Sequence, residues 1–141
     1  MPFEVTLDGT RRRTCVRFHG FVTGSDILVA TDELVAHPAY DASFDQLWSL
    51  ADALSVVISL EEMEALVAHD QTFVESGVMG AVRVGIVVTN ALHEAAIRFY
   101  QHEMRSSGQE VRLFASEREA AAWLEAARPP AGKAMGARFA A

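Results

Sequence analysis

Apolar and polar residues alternate along Phe3-Glu4-Val5-Thr6-Leu7 and again from Thr14 to Gly20, with Asp8-Gly9 between the two runs. This spacing predicts an N-terminal β-hairpin. From Thr23-Gly24-Ser25-Asp26 the period changes: Ile27, Leu28, Thr31, Leu34 and Val35 form one stripe on a helix that begins at cap-forming side chains and stops near His37-Pro38. Period two returns over Phe44 to Leu50, predicting a third strand. After a short irregular stretch, Ser59 with Glu62 three residues on marks a helix start, and Leu60, Met63, Leu66, Val67 and Val74 form its expected buried face.

Gly77 and Gly80 interrupt the chain before Val82-Arg83-Val84-Gly85-Ile86-Val87-Val88, apolar and β-branched enough for a strand covered on both faces and for the centre of the sheet. A third helix is expected from Asn90 to about Ser106, packing through Leu92, Ala95, Ala96, Phe99 and Tyr100 and closed by Gly108. Val111 to Phe114 reads as a short strand. Ser116-Glu117-Arg118-Glu119 opens a last helix with Ala120, Trp123, Leu124 and Ala127 inward. The order β-β-α-β-α-β-α-β-α predicts one α/β domain over residues 1–127: a single mixed, mostly parallel five-stranded sheet with four helices. Pro129-Pro130 would end it, and 128–141 would be a disordered tail.

Half of the 141 residues are apolar and 22% charged, enough for one hydrophobic core. Lys and Arg number 12 against 19 Asp and Glu, a net charge of −7, which argues against nucleic acid as partner. The average hides a split. Residues 18–82 hold eleven carboxylates and no Lys or Arg, so the first two predicted helices are uniformly acidic while the hairpin and closing segments are net positive. That division suggests head-to-tail self-association or a basic protein partner. No apolar run is long enough for membrane insertion, no signal-peptide pattern opens the chain, and the single Cys15 fits a cytoplasmic setting.

Catalytic motifs are scarce. His93-Glu94 is followed at position 97 by Ile, so the His-Glu-x-x-His zinc pattern fails, and the other histidines lack metal-ligand spacing. His69-Asp70 and His102-Glu103 are adjacent on helices and expected to diverge. Phosphate-binding glycine loops and the Gly-x-Ser-x-Gly elbow are missing, so neither a metal site nor a cofactor is predicted. Asp52, expected at the end of the third strand, and Thr89 and Asn90 after the fourth, occupy the edge where open α/β sheets gather ligands; each is equally a loop or cap residue. Arg11-Arg12-Arg13 reads as a solvated hairpin tip or an anion patch.

Three stretches resemble the STAS and SpoIIAA-like superfamily of small bacterial α/β domains: Gly20-Phe21-Val22-Thr23-Gly24-Ser25-Asp26 running on to Leu34-Val35-Ala36-His37-Pro38-Ala39-Tyr40, the segment from Leu47 to Val67, and Ala95 through Leu124 with its closing Ala-Trp-Leu. The resemblance implies a cytoplasmic protein-interaction or regulatory domain without a catalytic centre. In anti-sigma-factor antagonists of that superfamily a serine at the start of the helix after the third strand is phosphorylated, within Asp-Ser-Ser-Gly-Leu. Ser59 falls at that place, as a candidate for regulatory phosphorylation. Here, however, Val57-Ile58-Ser59-Leu60-Glu61 has neither the Asp nor the Gly, and a phosphate of roughly −1.5 to −2 charge would face Glu61 and Glu62. A plain N-cap is the simpler role for Ser59. Three functions follow: an interaction module that self-associates, a domain holding a small apolar ligand or lipid between sheet and helices, and an enzyme using Asp52 or a histidine at the strand ends.

Overall fold

The computed structural model describes residues 2–126; the expected tail and the inward Ala127 lie outside the described residues. Strands β1 (Phe3–Asp8) and β2 (Arg13–Thr23) form the hairpin, with Val5 opposite Val16 and Thr6 opposite Cys15. Its turn is tightened by the Arg11 N–H donating to Asp8 Oδ1 at 3.1 Å. There follow α1 (Gly24–Ala36), β3 (Asp45–Val57), α2 (Leu60–Glu75), β4 (Arg83–Val87), α3 (Ala91–Glu103) with a 3-10 turn at Met104–Ser107, β5 (Glu110–Phe114) and α4 (Glu117–Glu125). The strands lie in chain order, β1-β2-β3-β4-β5, the first pair antiparallel and the rest parallel. The expected five-stranded mixed sheet with four helices is therefore present.

Because successive parallel strands step in one direction, right-handed crossovers place α1, α2 and α3 on the same face. There Val16, Phe18, Leu50, Val84 and Ile86 of the sheet meet Ile27, Leu34, Met63, Leu66, Ile97 and Tyr100 of the helices. Helix α4 covers the other face, where Leu47 and Val87 pack on Ala120 and Leu124. Gly85 makes that approach feasible: a Cβ there would already touch Ala120 Cβ at 3.5 Å. Arg17 fastens the start of α4 to β2 through a forked contact with Glu117, at 2.9–3.1 Å.

Four expectations change. The third strand does not stop at Leu50 but runs to Val57, because register shifts against β2 between Arg17 and His19 and between Gly20 and Phe21 break the period-two pattern that would have revealed it. Strand β4 pairs with β3 only through Gln46–Ser49, so residues 50–57 form a two-stranded extension with β2. The middle strand is β3, not Val82–Val88; β4 is apolar on both sides because the three-helix layer covers one face and α4 the other, whereas β3 also carries Asp45, Gln46, Ser49 and Asp52. The inward stripe of α3 is His93, Ile97 and Tyr100, leading into Met104, and Leu92 is 85% exposed. A polar residue anchors that stripe, since His93 Nε2 accepts the Val56 N–H at 3.2 Å. On α2, Met63, Leu66 and Val67 are buried as expected but Leu60 is exposed.

Candidate functional site

Three helices begin at the carboxyl ends of β2, β3 and β4, and each start is built from a short polar side chain. Thr23 Oγ1 accepts the Asp26 N–H at 3.3 Å while Asp26 Oδ2 accepts the Thr23 N–H at 2.9 Å. Ser59 and Glu62 form the same reciprocal box at 3.0 and 2.9 Å, and Asn90 Oδ1 accepts the Leu92 N–H at 2.8 Å. The first two boxes abut: a Cβ on Gly24 would lie 2.9 Å from Glu62 Oε2. Ser59 and Asn90 thus share one end of the sheet as capping residues, with exposed Thr89 beside Asn90.

Asp52 is elsewhere. Lengthening β3 to Val57 moves it from the expected strand end to mid-strand, within the two-stranded extension, opposite His19, exposed and seven residues before Ser59. The large apolar side chains exposed on the extension and at the helix starts are Phe21 (76% exposed), opposite Ser55, Leu54 and Val57 on the extension, Leu60 opening α2 and Leu92 opening α3. The hydrophobic period places Leu60 and Leu92 inward, so it does not reveal their exposure. Residues at the first or second helical position project past the sheet edge instead of onto it.

A second arrangement lies inside the helical layer. The Tyr100 hydroxyl on α3 donates to Asp70 Oδ2 on α2 at 2.6 Å, Asp70 Oδ1 is 3.3 Å from His69 Nδ1, and His69 Nε2 is 3.0 Å from Asp32 Oδ1 on α1. Adjacent His69 and Asp70 therefore meet, contrary to the expectation that they diverge; the planar ring reaches back over one peptide unit while its other nitrogen faces α1. A neutral imidazole has one N–H and serves one of its two carboxylate neighbours; only the protonated ring serves both. Burial pushes the Asp70 carboxyl up from its ordinary range, against the opposing pull of Tyr100 and His69, and burial together with Asp70 drives the Tyr100 phenol well above its own. Sequence alone carried no signal for this chain of contacts, whose members are spread from residue 32 to residue 100.

The remaining candidates are accounted for by neighbours. Arg11 and Arg13 approach Glu125 at 3.4 and 3.8 Å and Arg12 donates to Ser43, so the arginine cluster is engaged with acidic and polar side chains. Burial raises the Cys15 thiol, disfavouring its reactive thiolate. Among the described residues no group of three or more His, Cys, Asp or Glu is placed to hold a metal ion, and no helix is long and apolar enough to cross a membrane.

Neither a family profile nor a curated protein matches the sequence. Solved structures do match. An uncharacterised DUF3478-family protein with a SpoIIAA-like fold from Shewanella loihica superposes with a TM-score of 0.54 at 16% identity, over 86% of this chain and 91% of that one. The anti-sigma factor antagonist SpoIIAA in its unphosphorylated form gives 0.55 at 14% identity, over 89% of this chain and 99% of that one. At such identities the likeness is one of architecture: this chain has the SpoIIAA-like α/β fold.

Proposed function

We propose that the chain is a regulatory or protein-interaction domain, without a catalytic centre of its own, acting in the cytoplasm. The observation that carries this reading is the set of exposed apolar side chains Phe21, Leu54 and Val57 on the strand extension and Leu60 and Leu92 at the starts of α2 and α3. Exposed apolar groups collected at one end of a small domain mark contact surfaces. The likeness to an anti-sigma factor antagonist supports it as well. This set belongs to the acidic part of the chain, apart from Leu92, so the partner is a protein with basic residues bordering an apolar patch, a second copy of this chain through its net-positive segments included. Ser59 is the point at which that contact would be regulated. A phosphate there would add charge beside Glu61 and Glu62 and raise the cost of apolar docking.

Phe21→Asp and Leu92→Asp test the surface without touching the core. Light scattering and capture of host proteins should show loss of association in both variants while circular dichroism stays unchanged, and weakened association of the parent chain in high salt. Ser59→Ala should cost about 1 kcal/mol of stability through the lost cap but leave binding intact, whereas Ser59→Glu should weaken binding. Folded Asp variants that retain every partner of the parent chain would refute the assignment.

A further inference from the structure

His69 stands between two carboxylates on different helices. Its Nδ1 lies 3.3 Å from Asp70 Oδ1 on α2 itself and its Nε2 lies 3.0 Å from Asp32 Oδ1 on α1. The ring packs at 4.5 Å against Phe73, one turn further along α2, which restricts its rotation. The two acids differ in their access to water: the Asp32 side chain is 61% exposed and that of Asp70 only 8%. From α3 the Tyr100 hydroxyl donates to the other oxygen of Asp70, and the charges that act on Asp70 are those of His69 and Asp32. The sheet side of the pocket next to Asp70 is uncharged, with Gln46 and Trp48 as its polar members. Residues 18–82 supply no Lys or Arg, and Arg98 on α3 is paired with Glu94 at 3.2 Å.

Counting donors shows what one proton does here. When the His69–Asp70 pair holds a proton beyond the neutral ring and ionised acid, both ring contacts are hydrogen bonds. Either the imidazolium donates through its two nitrogens, or a protonated Asp70 donates to Nδ1 while the Nε2 N–H donates to Asp32. Without that proton a single N–H is left for two anions. Asp70, being buried, depends on donors from the protein, whereas Asp32 is open to water, so the N–H stays with Asp70. The Nε2 lone pair then faces the Asp32 carboxylate, and α1 loses its tie to α2. We propose that His69 and Asp70 form a proton-operated clasp between the two acidic helices, closed onto Asp32 when the pair holds its extra proton and released from it when the proton leaves. Burial, which raises the Asp70 carboxyl, favours retention of that proton. Proton uptake thereby sets how firmly α1 is held to α2, whatever partner the domain meets.

Amide hydrogen exchange of the full chain reads the clasp on α1, with α4 on the opposite face of the sheet as control. After correction for intrinsic rates, amides in the second half of α1 should be about two- to fivefold better protected near pH 5.5 than near pH 7.5, the range over which histidine chemistry operates and the size expected of a partly exposed pair. The α4 amides should not follow. Nitrogen resonances of the His69 ring should show Nε2 losing its proton over the same interval. Asp32→Asn, at an exposed position, leaves the core alone and should remove the difference, because an amide can turn its oxygen to a protonated Nε2 and its amine to a bare one. His69→Gln should remove it as well. Equal α1 protection at the two pH values in the parent chain, a difference that α4 shares, one that survives in Asp32→Asn, or an Nε2 that keeps its proton throughout would each overturn the proposal.

Discussion

Tyr100→Phe deletes one oxygen from the interior and leaves the ring in place, so its effect isolates the contact with Asp70. The hydroxyl donates at 2.6 Å to a carboxylate with only 6% exposure, on a different helix. A hydrogen bond to a charged group is worth roughly 1.5–3 kcal/mol, and here its loss also strands Oδ2 of Asp70 away from water. We expect a destabilisation of about 2–3 kcal/mol at neutral pH, lowering Tm by roughly 3–5 °C per kcal/mol in a domain of this size. The dependence on pH distinguishes the contact from simple repacking. Burial already raises the Asp70 carboxyl in the folded state, so the folded protein binds more protons than the unfolded chain, and this group's contribution falls as pH rises from the ordinary carboxylate range through the folded value. Removing the donor raises that value further and deepens the fall. The deficit of the variant should therefore be smaller in mildly acidic solution and grow towards pH 8. Urea unfolding followed by circular dichroism across that range measures it, with Asp70→Asn and the double variant completing a cycle. A deficit under about 0.5 kcal/mol that is flat with pH, or no coupling between the two positions, would show that the hydroxyl and carboxylate do not interact as described.

The forked Arg17–Glu117 contact joins α4 to β2 near the surface. Its hydrogen bonds from Arg17 hold Glu117 below the usual carboxylate range, so its contribution is present above that range and lost as pH falls through the lowered value; Glu117→Gln should cost no more than about 1 kcal/mol at pH 7 after screening, and nothing in strong acid. Chemical denaturation at both pH values reads the difference. Gly80 packs under the loop before β3, where a Cβ would stand 2.6 Å from the backbone oxygen of Ala42. Gly80→Ala should destabilise by about 1–3 kcal/mol in thermal melts, and an unchanged Tm would show that the loop yields freely.

Element order was readable because the hydrophobic period switches cleanly at the caps. Thr23, Ser59, Asn90 and Ser116 all accept the N–H bonds that their sequence context promised. Local chemistry is sufficient for such features: a cap needs only its own next three residues. The Asp32–His69–Asp70–Tyr100 contacts needed three helices to be packed before any of them existed. The position of Asp52 is illegible for a related reason: past Leu50 an apolar residue, Leu54, is exposed and a polar one, Ser55, half-buried, so the apolar order does not follow the burial, and the pairing with β2 that carries the strand on to Val57 is not visible from β3 alone.

The sequence by itself determined the α/β succession, the hairpin, the capped helix starts and the acidic middle of the chain, since all of these depend on near neighbours and on side-chain type. Only the tertiary structure decided that β3 is the middle strand, that α4 covers the face of the sheet opposite α1 to α3, that Leu60 and Leu92 are exposed at their helix starts, and that the Gln46 amide is buried with its nitrogen unpartnered among the described residues. Those outcomes depend on which distant segments compete for the same space and the same hydrogen bonds, and that competition is settled only when sheet and helices close on one another.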